Sequence, residues 1–501
     1  MKKIRKLICA IVCVFSVIAL GACDLQAILG GLLNNTADIN YYIDGEFFGY
    51  IEVNVGDEII LNLDDIYVED DETLHNHIHT ILKENQEFDY WYIDNAYTTK
   101  AVEGTPVEED VNLYGRIVDK TLAGGEVGGE TPSTGIVDNV VYEDLQLHFL
   151  ELGNSYSGDC TYIKAGDVDI LIDAGSRQGS ATTIKAYLDQ YVIDGKLEYV
   201  IATHAHQDHI AGFVGNKSGD TRTGILYQYE IGTLIDFSLT DVTSQLYGNY
   251  LTAVEYCVEK GTTHYTADQC WEETGGASRS YNLTDEISLN ILYNKYYFEE
   301  ASDENDYSVC TLISYNDHHF MLTGDLELEG EEALAEYYDG STPEKTLPHC
   351  VLFKGGHHGS GSSTNDCLLS LITPEIVTIC TCAGSTEYTA NYLNIFPTQA
   401  MITRVAKYTD RVYVTTVFNE QTGEEESMNG NIVISSNSTA IGVSASNNIT
   451  KLKDTAWFNQ TVYVVYDSKN NPLICSGSGK EDFYTAETEG AVALPRRVWP
   501  E

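Results

Sequence analysis

Thr203-His204-Ala205-His206-Gln207-Asp208-His209 sets three imidazoles and one carboxylate on a single short turn. Crowding four groups that prefer water or protons is costly unless a cation neutralises and coordinates them, and neutral imidazoles with a carboxylate suit zinc or a similar transition metal. A solvated loop with chance histidines is the bland alternative. The chain has 13 His in 501 residues, so four ligand-type residues within six positions argue against chance.

The flanking sequence gives the turn a place in a fold. Leu197-Glu198-Tyr199-Val200-Ile201-Ala202 reads as a short buried strand that delivers the histidines at its carboxyl end, where α/β layers carry their active-site loops. Upstream, Val168-Asp169-Ile170-Leu171-Ile172-Asp173-Ala174-Gly175 is a second apolar strand stopping at an Asp and a Gly, followed by a helix-like run from Thr183 to Tyr191. The order is strand, helix, strand, ligand loop.

Leu171-Ile172-Asp173-Ala174-Gly175 followed by His204-Ala205-His206-Gln207-Asp208-His209 resembles the metallo-β-lactamase fold. Asn305-Asp306-Tyr307-Ser308-Val309 running to Leu322-Thr323-Gly324-Asp325, and Lys354-Gly355-Gly356-His357-His358-Gly359-Ser360, narrow the likeness. They resemble the branch that includes the extracellular domain of the DNA-uptake protein ComEC and the choline-phosphate esterases of bacterial surfaces. The resemblance runs from about Glu143 to about Ser446, through Val412-Tyr413-Val414-Thr415-Thr416 and Asn429-Gly430-Asn431-Ile432-Val433-Ile434, which look like the family's last strands. The fold class it implies is α/β, an αββα sandwich.

The resemblance also implies a ligand set. His204 and His206 would serve one metal, Asp208 and His209 a second, and Asp325 would bridge them. Asp325 fits physically, because His319-Phe320-Met321-Leu322-Thr323 is strand-like and an acidic helix follows from Leu328 to Tyr338; a helix N-cap is the competing reading. For the last ligand, His357 and His358 both lie on the exit loop of the strand Cys350-Val351-Leu352-Phe353-Lys354. The resemblance assigns His358, which Gly359 follows, and leaves His357 for phosphate contact or proton donation, with the reverse assignment still open. Many family members supply a further His to the first metal, and the candidates here, His264, His318 and His319, lack the usual Gly-His context.

Two divalent ions are therefore expected, zinc first and manganese as the second candidate. Two adjacent cations bring a bridging water towards a pKa near ~7 and neutralise charge on the substrate, so the expected reaction is hydrolysis by the bridging hydroxide. Asp208 belongs to both the ligand and the catalytic set. Asn305 and Ser308 would line the pocket and bind the ester, as the resemblance implies; a polar strand start is their plain reading.

Lys2, Lys3, Arg5 and Lys6 precede an apolar run of 16 residues, Leu7 to Ala22, ending Leu20-Gly21-Ala22-Cys23. That pattern reads as a lipoprotein signal peptide, shorter than the roughly 20 residues needed to span a bilayer, with lipid transferred to the Cys23 thiol. The expected location is extracytoplasmic, anchored by lipid to the bacterial cell membrane. A plain membrane anchor is the alternative. The net charge of −48, from 28 basic and 76 acidic side chains, weighs against a dedicated nucleic-acid binder. Of the 12 cysteines, Cys9, Cys13 and Cys23 belong to the signal and lipid site, leaving nine, an odd number that argues against a disulfide framework. Cys380 and Cys382, two apart on a strand-like run, read as core thiols.

The chain divides as 1–22 signal peptide, 23–39 tether, 40–119 β-rich module, 120–142 linker, 143–446 hydrolase domain and 447–501 C-terminal extension. Alternating runs such as Ile51-Glu52-Val53-Asn54-Val55 mark the module, and Phe88 to Ile93 with Leu113-Tyr114 loosely resembles the internalin-type repeat of bacterial surface proteins. Such a unit points to a surface partner for residues 40–119. His75, His77 and His79 alternate there and share a face, either an exposed polar face or a second metal site. Gly124-Gly125, Gly128-Gly129 and Thr131-Pro132-Ser133-Thr134-Gly135 give the linker its composition.

The leading expectation is a surface-anchored, metal-dependent hydrolase of a small phosphate ester, of phosphodiesterase type. A β-lactam or thioester hydrolase is second, although no extra His, Cys ligand or cationic carboxylate-binding residue stands in recognisable context. A nuclease is not favoured by the charge; its best groove would be Arg404, Lys407 and Arg411, beside Tyr408 and Asp410. A non-catalytic surface-binding protein is the remaining class, with the module as the working part.

Overall fold

A computed structural model describes residues 36–43, 46–56, 59, 86–92, 105–107, 111–119, 135–419, 422–474 and 484–500. The signal peptide, Cys23, His75, His77, His79, most of the linker and Cys475 lie outside them. The chain forms two compact units, Met1–Gly128 and Gly129–Glu501. No helix among the described residues is long and apolar enough to cross a membrane.

In the first unit four strands pair in the order Glu46–Asn54, Thr36–Ile43, Val111–Asp119, Gln86–Tyr92. Alternation builds it: Ala37, Ile39, Tyr41 and Ile43 are buried on one face of one strand, and the Tyr41 ring meets Trp91 edge-on at 5.1 Å. The strand starts at Thr36, so the expected tether to residue 39 overlaps ordered sheet.

The second unit is built on two large sheets. The first has the order Thr263–Thr266, Glu230–Asp236, Lys196–Ile201, Val168–Ile172, Thr161–Ala165, Leu145–Phe149, Ile432–Ser436, Ala440–Ala445, Gly135–Asp138. The second runs Ser280–Asn282, Ile287–Ile291, Thr311–Tyr315, His318–Leu322, Leu352–Lys354, Ile376–Ala383, Val412–Asn419, Glu424–Ser427. Leu147, Ile170 and Val200 from one sheet share a core with Ile313, Phe320 and Tyr413 from the other, so the sheets pack face to face. Ile184 and Leu188 of one helix and Tyr250 of another join that core. Leu334, Leu369 and Ile402, on three further helices, share a separate core with Met321, Phe353 and Val377 of the second sheet. The result is an αββα sandwich.

Two departures from the sequence reading concern the edges. Gly135–Asp138, read as linker, is an edge strand parallel to Ala440–Ala445, with Ile136 opposite Ile441. Its Gly/Thr/Pro-rich approach hides a four-residue strand whose partner lies some three hundred residues away. The C-terminal extension forms a third sheet, Pro472–Leu473, Thr461–Tyr466, Val492–Pro495. The eight described cysteines are free thiols and seven of them are buried.

Within each large sheet the strands that matter run parallel. Val168–Ile172 lies parallel to Lys196–Ile201, and His318–Leu322 to Leu352–Lys354, which is parallel in turn to Ile376–Ala383. Parallel strands bring their exit loops to one edge, and those loops carry Asp173, His204, Asp325 and His358.

Candidate metal centre

Asp173 leaves its strand in a left-handed conformation, φ 59°, which is strained for a residue with a side chain. The turn aims its carboxylate across the sheet. Oδ1 accepts from the Thr203 amide at 2.8 Å, and Oδ2 accepts from the Thr203 hydroxyl at 2.7 Å and lies 2.8 Å from His209 Nδ1. Asp173 is thus an orienting group: a proton on His209 Nδ1 leaves Nε2 free to coordinate. Gly175 follows because a Cβ there would lie 1.6 Å from the Asp208 carbonyl oxygen, so only glycine lets the two loops meet.

The other rings are set in the same way. His358 Nδ1 lies 3.0 Å from the Cys380 carbonyl, leaving Nε2 3.3 Å from Asp208 Oδ2 and 3.2 Å from Asp325 Oδ2. His204 Nδ1 lies 3.2 Å from the Thr203 hydroxyl and 3.4 Å from that of Ser308, with Nε2 3.0 Å from His206 Nδ1. His209 Nε2 lies 3.0 Å from Asp325 Oδ2. His204–His209–Asp325, Asp208–His209–His358 and Asp159–Asp325–His358 each bring potential ligand atoms within 4.8 Å of one another. His206 belongs to none of these sets and faces His204 and Asn305 Oδ1, the latter at 2.9 Å.

The electrostatics mark a site built for cations. Burial drives His204 well below the ordinary histidine range, aided by His209, which keeps its ring neutral. Burial also opposes charge on His209 and His358, but Asp325 with Asp173 or Asp159 outweighs it and holds both rings high. Asp208 and Asp325 would be raised by burial, yet His209 and His358 hold both well below the carboxylate range. His209 Nε2, His358 Nε2 and Asp325 Oδ1 are buried without a hydrogen bond. Buried polar atoms are seldom orphaned, and three of them turned on one another fit divalent ions, which take imidazole and carboxylate together.

The predicted residues divide. His204, Asp208, His209, Asp325 and His358 converge, with His206 beside them. His357 points elsewhere, its Nδ1 2.9 Å from Glu327 Oε1, an oxygen that also accepts from Asn305 Nδ2 at 3.2 Å and Ser362 at 2.8 Å. Asn305 and Ser308 are both buried, contrary to the expectation that they line the pocket. Ser308 Oγ accepts from the Asp325 amide at 3.1 Å and sits behind His204, so it braces ligands and is not placed to bind an ester. Asn305 ties His206 to Glu327 for the same reason of burial. The three later histidines are engaged elsewhere: His264 with Asp236 at 2.8 Å, His318 with Ser436 at 2.6 Å and His319 with Ser314 at 3.0 Å.

Sequence reasoning missed three participants. Asp159 is buried beside His358 Nδ1 at 3.3 Å, and its other oxygen pairs with the buried Lys354 ammonium. Lys354 also lies 3.8 Å from Asp325 Oδ1 and donates to the Gly324 carbonyl at 3.2 Å. It is a fixed positive charge among four carboxylates, Asp159, Asp173, Asp208 and Asp325. A lysine ending the buried strand Leu352–Lys354 was the available signal. Tyr388, whose hydroxyl donates to Asp208 Oδ2 at 2.6 Å, gave none.

The model of the Metallo-beta-lactamase superfamily matches residues 154–215, which hold Asp159, Asp173 and the turn from His204 to His209. No curated protein matches the chain in sequence. Among solved structures, a metallo-β-lactamase with the HARLDQ motif from Cronobacter sakazakii is similar at 12% identity and a TM-score of 0.23. That match covers 39% of this chain and 66% of that one, just under two thirds of its length. An N-acyl homoserine lactone hydrolase, with its product at the catalytic metal centre, is similar at 13% identity over 36% of this chain and 75% of its own, TM-score 0.22. A point mutant of the CmlA β-hydroxylase is similar at 11% identity over 70% of this chain and 73% of its own, TM-score 0.29. Likenesses at that level carry no argument about activity. The larger unit has the αββα fold of the metallo-β-lactamase superfamily, and residues 154–215 carry that superfamily's sequence pattern.

Proposed function

We propose that the chain is a metal-dependent hydrolase of small phosphate esters, phosphodiesters foremost, tied to a membrane surface by lipid on Cys23. The observation that carries the hydrolase reading is the set of buried, orphaned ligand atoms His209 Nε2, His358 Nε2 and Asp325 Oδ1. Divalent ions, zinc before manganese, would be held by His204, His206, Asp208, His209, Asp325 and His358, and when bound would supply Lewis-acid charge and activation of water.

The chain's own groups then have separable tasks. Asp173 and the Cys380 carbonyl fix the rings of His209 and His358, so the ligand geometry is set before any substrate arrives. Lys354 offsets Asp159 and keeps the buried carboxylates together. His357, backed by Glu327, is a proton donor to the leaving oxygen: the P–O bond breaks, the alcohol departs with the proton, and the phosphorus keeps the oxygen of water.

Support for a phosphate ester over a β-lactam comes from the loop Lys354–Ser360, with its likeness to the phosphoesterase branch, and from the state of Arg177. That guanidinium is engaged by Glu387 and lies 3.8 Å over the Tyr156 ring, so it is not free to take a substrate carboxylate. The test is metal analysis of the mature chain, with a substrate panel of phosphodiesters, phosphomonoesters and β-lactams before and after chelation. One to two ions per chain and chelator-sensitive phosphodiester cleavage are expected; less than about one ion, or preferred β-lactam cleavage, sinks the reading. Membrane fractionation of Cys23→Ser tests the anchor, with release or an uncleaved precursor as the expected outcome.

A further inference from the structure

The loop 385–397 leaves the strand Ile376–Ala383 and reaches the metal centre with its first half. Tyr388 donates to Asp208 there, while Glu387 pairs with Arg177 and accepts from the Ser157 amide at 2.9 Å. Ser385 adds a bond to the Ser155 carbonyl at 2.9 Å. The Tyr388 ring lies 5.6 Å from Phe396, whose own ring is 5.7 Å from His357. One side of the site is therefore made by this loop, and Tyr388, 52% exposed, faces solvent there.

The second half of the loop is held from behind by the C-terminal extension. Tyr392 donates its amide to the Pro472 carbonyl at 2.8 Å and its hydroxyl to the Pro495 carbonyl at 2.6 Å, and the Ile474 amide returns to the Ala390 carbonyl at 2.9 Å. Ile395 is buried with Val462, Val464 and Ile474. Arg497, only 4% exposed, donates to the carbonyls of Ile395 and Pro397 and lies 5.1 Å over the Tyr392 ring. A guanidinium presents several donors in a rigid fork, so one side chain fixes two carbonyls of the loop at once. Contacts of that kind, to backbone carbonyls and rings, are the pattern of a cation recruited to shape backbone.

We infer that residues 461–499 are a clamp that fixes the loop 385–397 as a wall of the site, with Arg497 a positioning residue acting through Tyr388, whose phenol meets the substrate. Only the kinetic part of this inference rests on the phosphoesterase reading. The clamp explains why a three-stranded sheet follows the last strand of the sandwich: its core is shared with a loop that ends on a ligand carboxylate.

The experiment uses the full chain with Arg497→Met, Tyr388→Phe, the two combined, and Tyr392→Phe. Measured are bound metal, kcat and KM on a chromogenic phosphodiester, and hydrogen exchange of amides 384–397. Arg497→Met and Tyr388→Phe should each raise KM roughly five- to tenfold with kcat within about threefold and metal content unchanged. The combination should be no worse than either alone, because both remove the same contact. Exchange across 384–397 should quicken in Arg497→Met and, to a lesser degree, in Tyr392→Phe, but not in Tyr388→Phe. Should Arg497→Met fail to fold, Tyr392→Phe, which removes one hydrogen bond, carries the same expectation. Independent, multiplying effects on KM, or unchanged loop exchange, overturn the inference. A chain that cleaves no phosphodiester counts against the function proposed above, and the exchange measurement still decides the clamp.

Discussion

His357 and His358 are chain neighbours with left-handed backbones, φ 45° and 53°, yet one ring points to Glu327 at the rim and the other is buried against Asp208 and Asp325. Two consecutive non-glycine residues in that region store strain on the order of 1–3 kcal/mol each, which the surrounding bonds must hold in place. Their roles should separate. His358→Ala is expected to lower bound metal, whereas His357→Ala should keep it and lower kcat by about 10²-fold or more; metal analysis beside kinetics reads the difference, and an emptied site in His357→Ala reverses the assignment. The ligand turn was legible because its residues are contiguous and chemically unmistakable. Asp159 was not, since a lone carboxylate after Ser157-Gly158 carries no sign of the sheet partner that brings Lys354 and His358 to it. Ser308 misled for a related reason: a hydroxyl beside a ligand loop reads equally well as a substrate contact or a brace, and only burial decides.

The elements that carry ligands were legible as apolar runs stopping at Asp, Gly or His, because a parallel strand buried on both faces leaves just that trace. Gly135–Asp138 and the sheet formed by the extension were not, since short strands take their identity from distant partners. One helix shows how an element can reach beyond its own packing. Glu331, buried on Leu328–Tyr337, accepts from the amides of Thr364 and Asn365 at 2.7 Å each, and so ties the helix to the loop following His358. Arg404 grips the same loop from the other side through the carbonyls of Gly361, Ser363 and Thr364. Burial pushes Glu331 up to about 7 against the pull of those amides. A folded value above the ordinary 4.5 means that the folded chain binds more protons than the unfolded one between those pH values. Stability should therefore fall as pH rises through that window, by at most about 3 kcal/mol, and level off above it. Urea unfolding of the native chain and of Glu331→Gln across the window checks this: the difference between them should carry the slope, and parallel curves would refute it.

For the molecule as a whole, the net charge of −48 sets what can approach. The candidate nucleic-acid groove is fully engaged: Arg404 holds carbonyls, Lys407 pairs with Asp366 at 2.9 Å and Arg411 with Asp138 at 3.5 Å. Cleavage of a small phosphodiester should outpace that of single- and double-stranded DNA and vary little with salt; faster DNA cleavage that weakens steeply as salt rises would restore the nuclease reading. Charge and composition were legible from the outset, but the commitment of each cation was not. The sheet order has a further consequence, for synthesis. Leu145–Phe149 pairs with Ile432–Ser436, and the strand that completes this edge ends at Ala445. At about 5–20 residues per second the ribosome needs roughly 15–60 s to make the intervening chain. Throughout that interval the ligand-bearing half-sheet has an open, apolar edge, the kind that recruits other strands. The fate of a nascent or truncated chain is therefore a kinetic contest between closure and association, decided before native stability has any say.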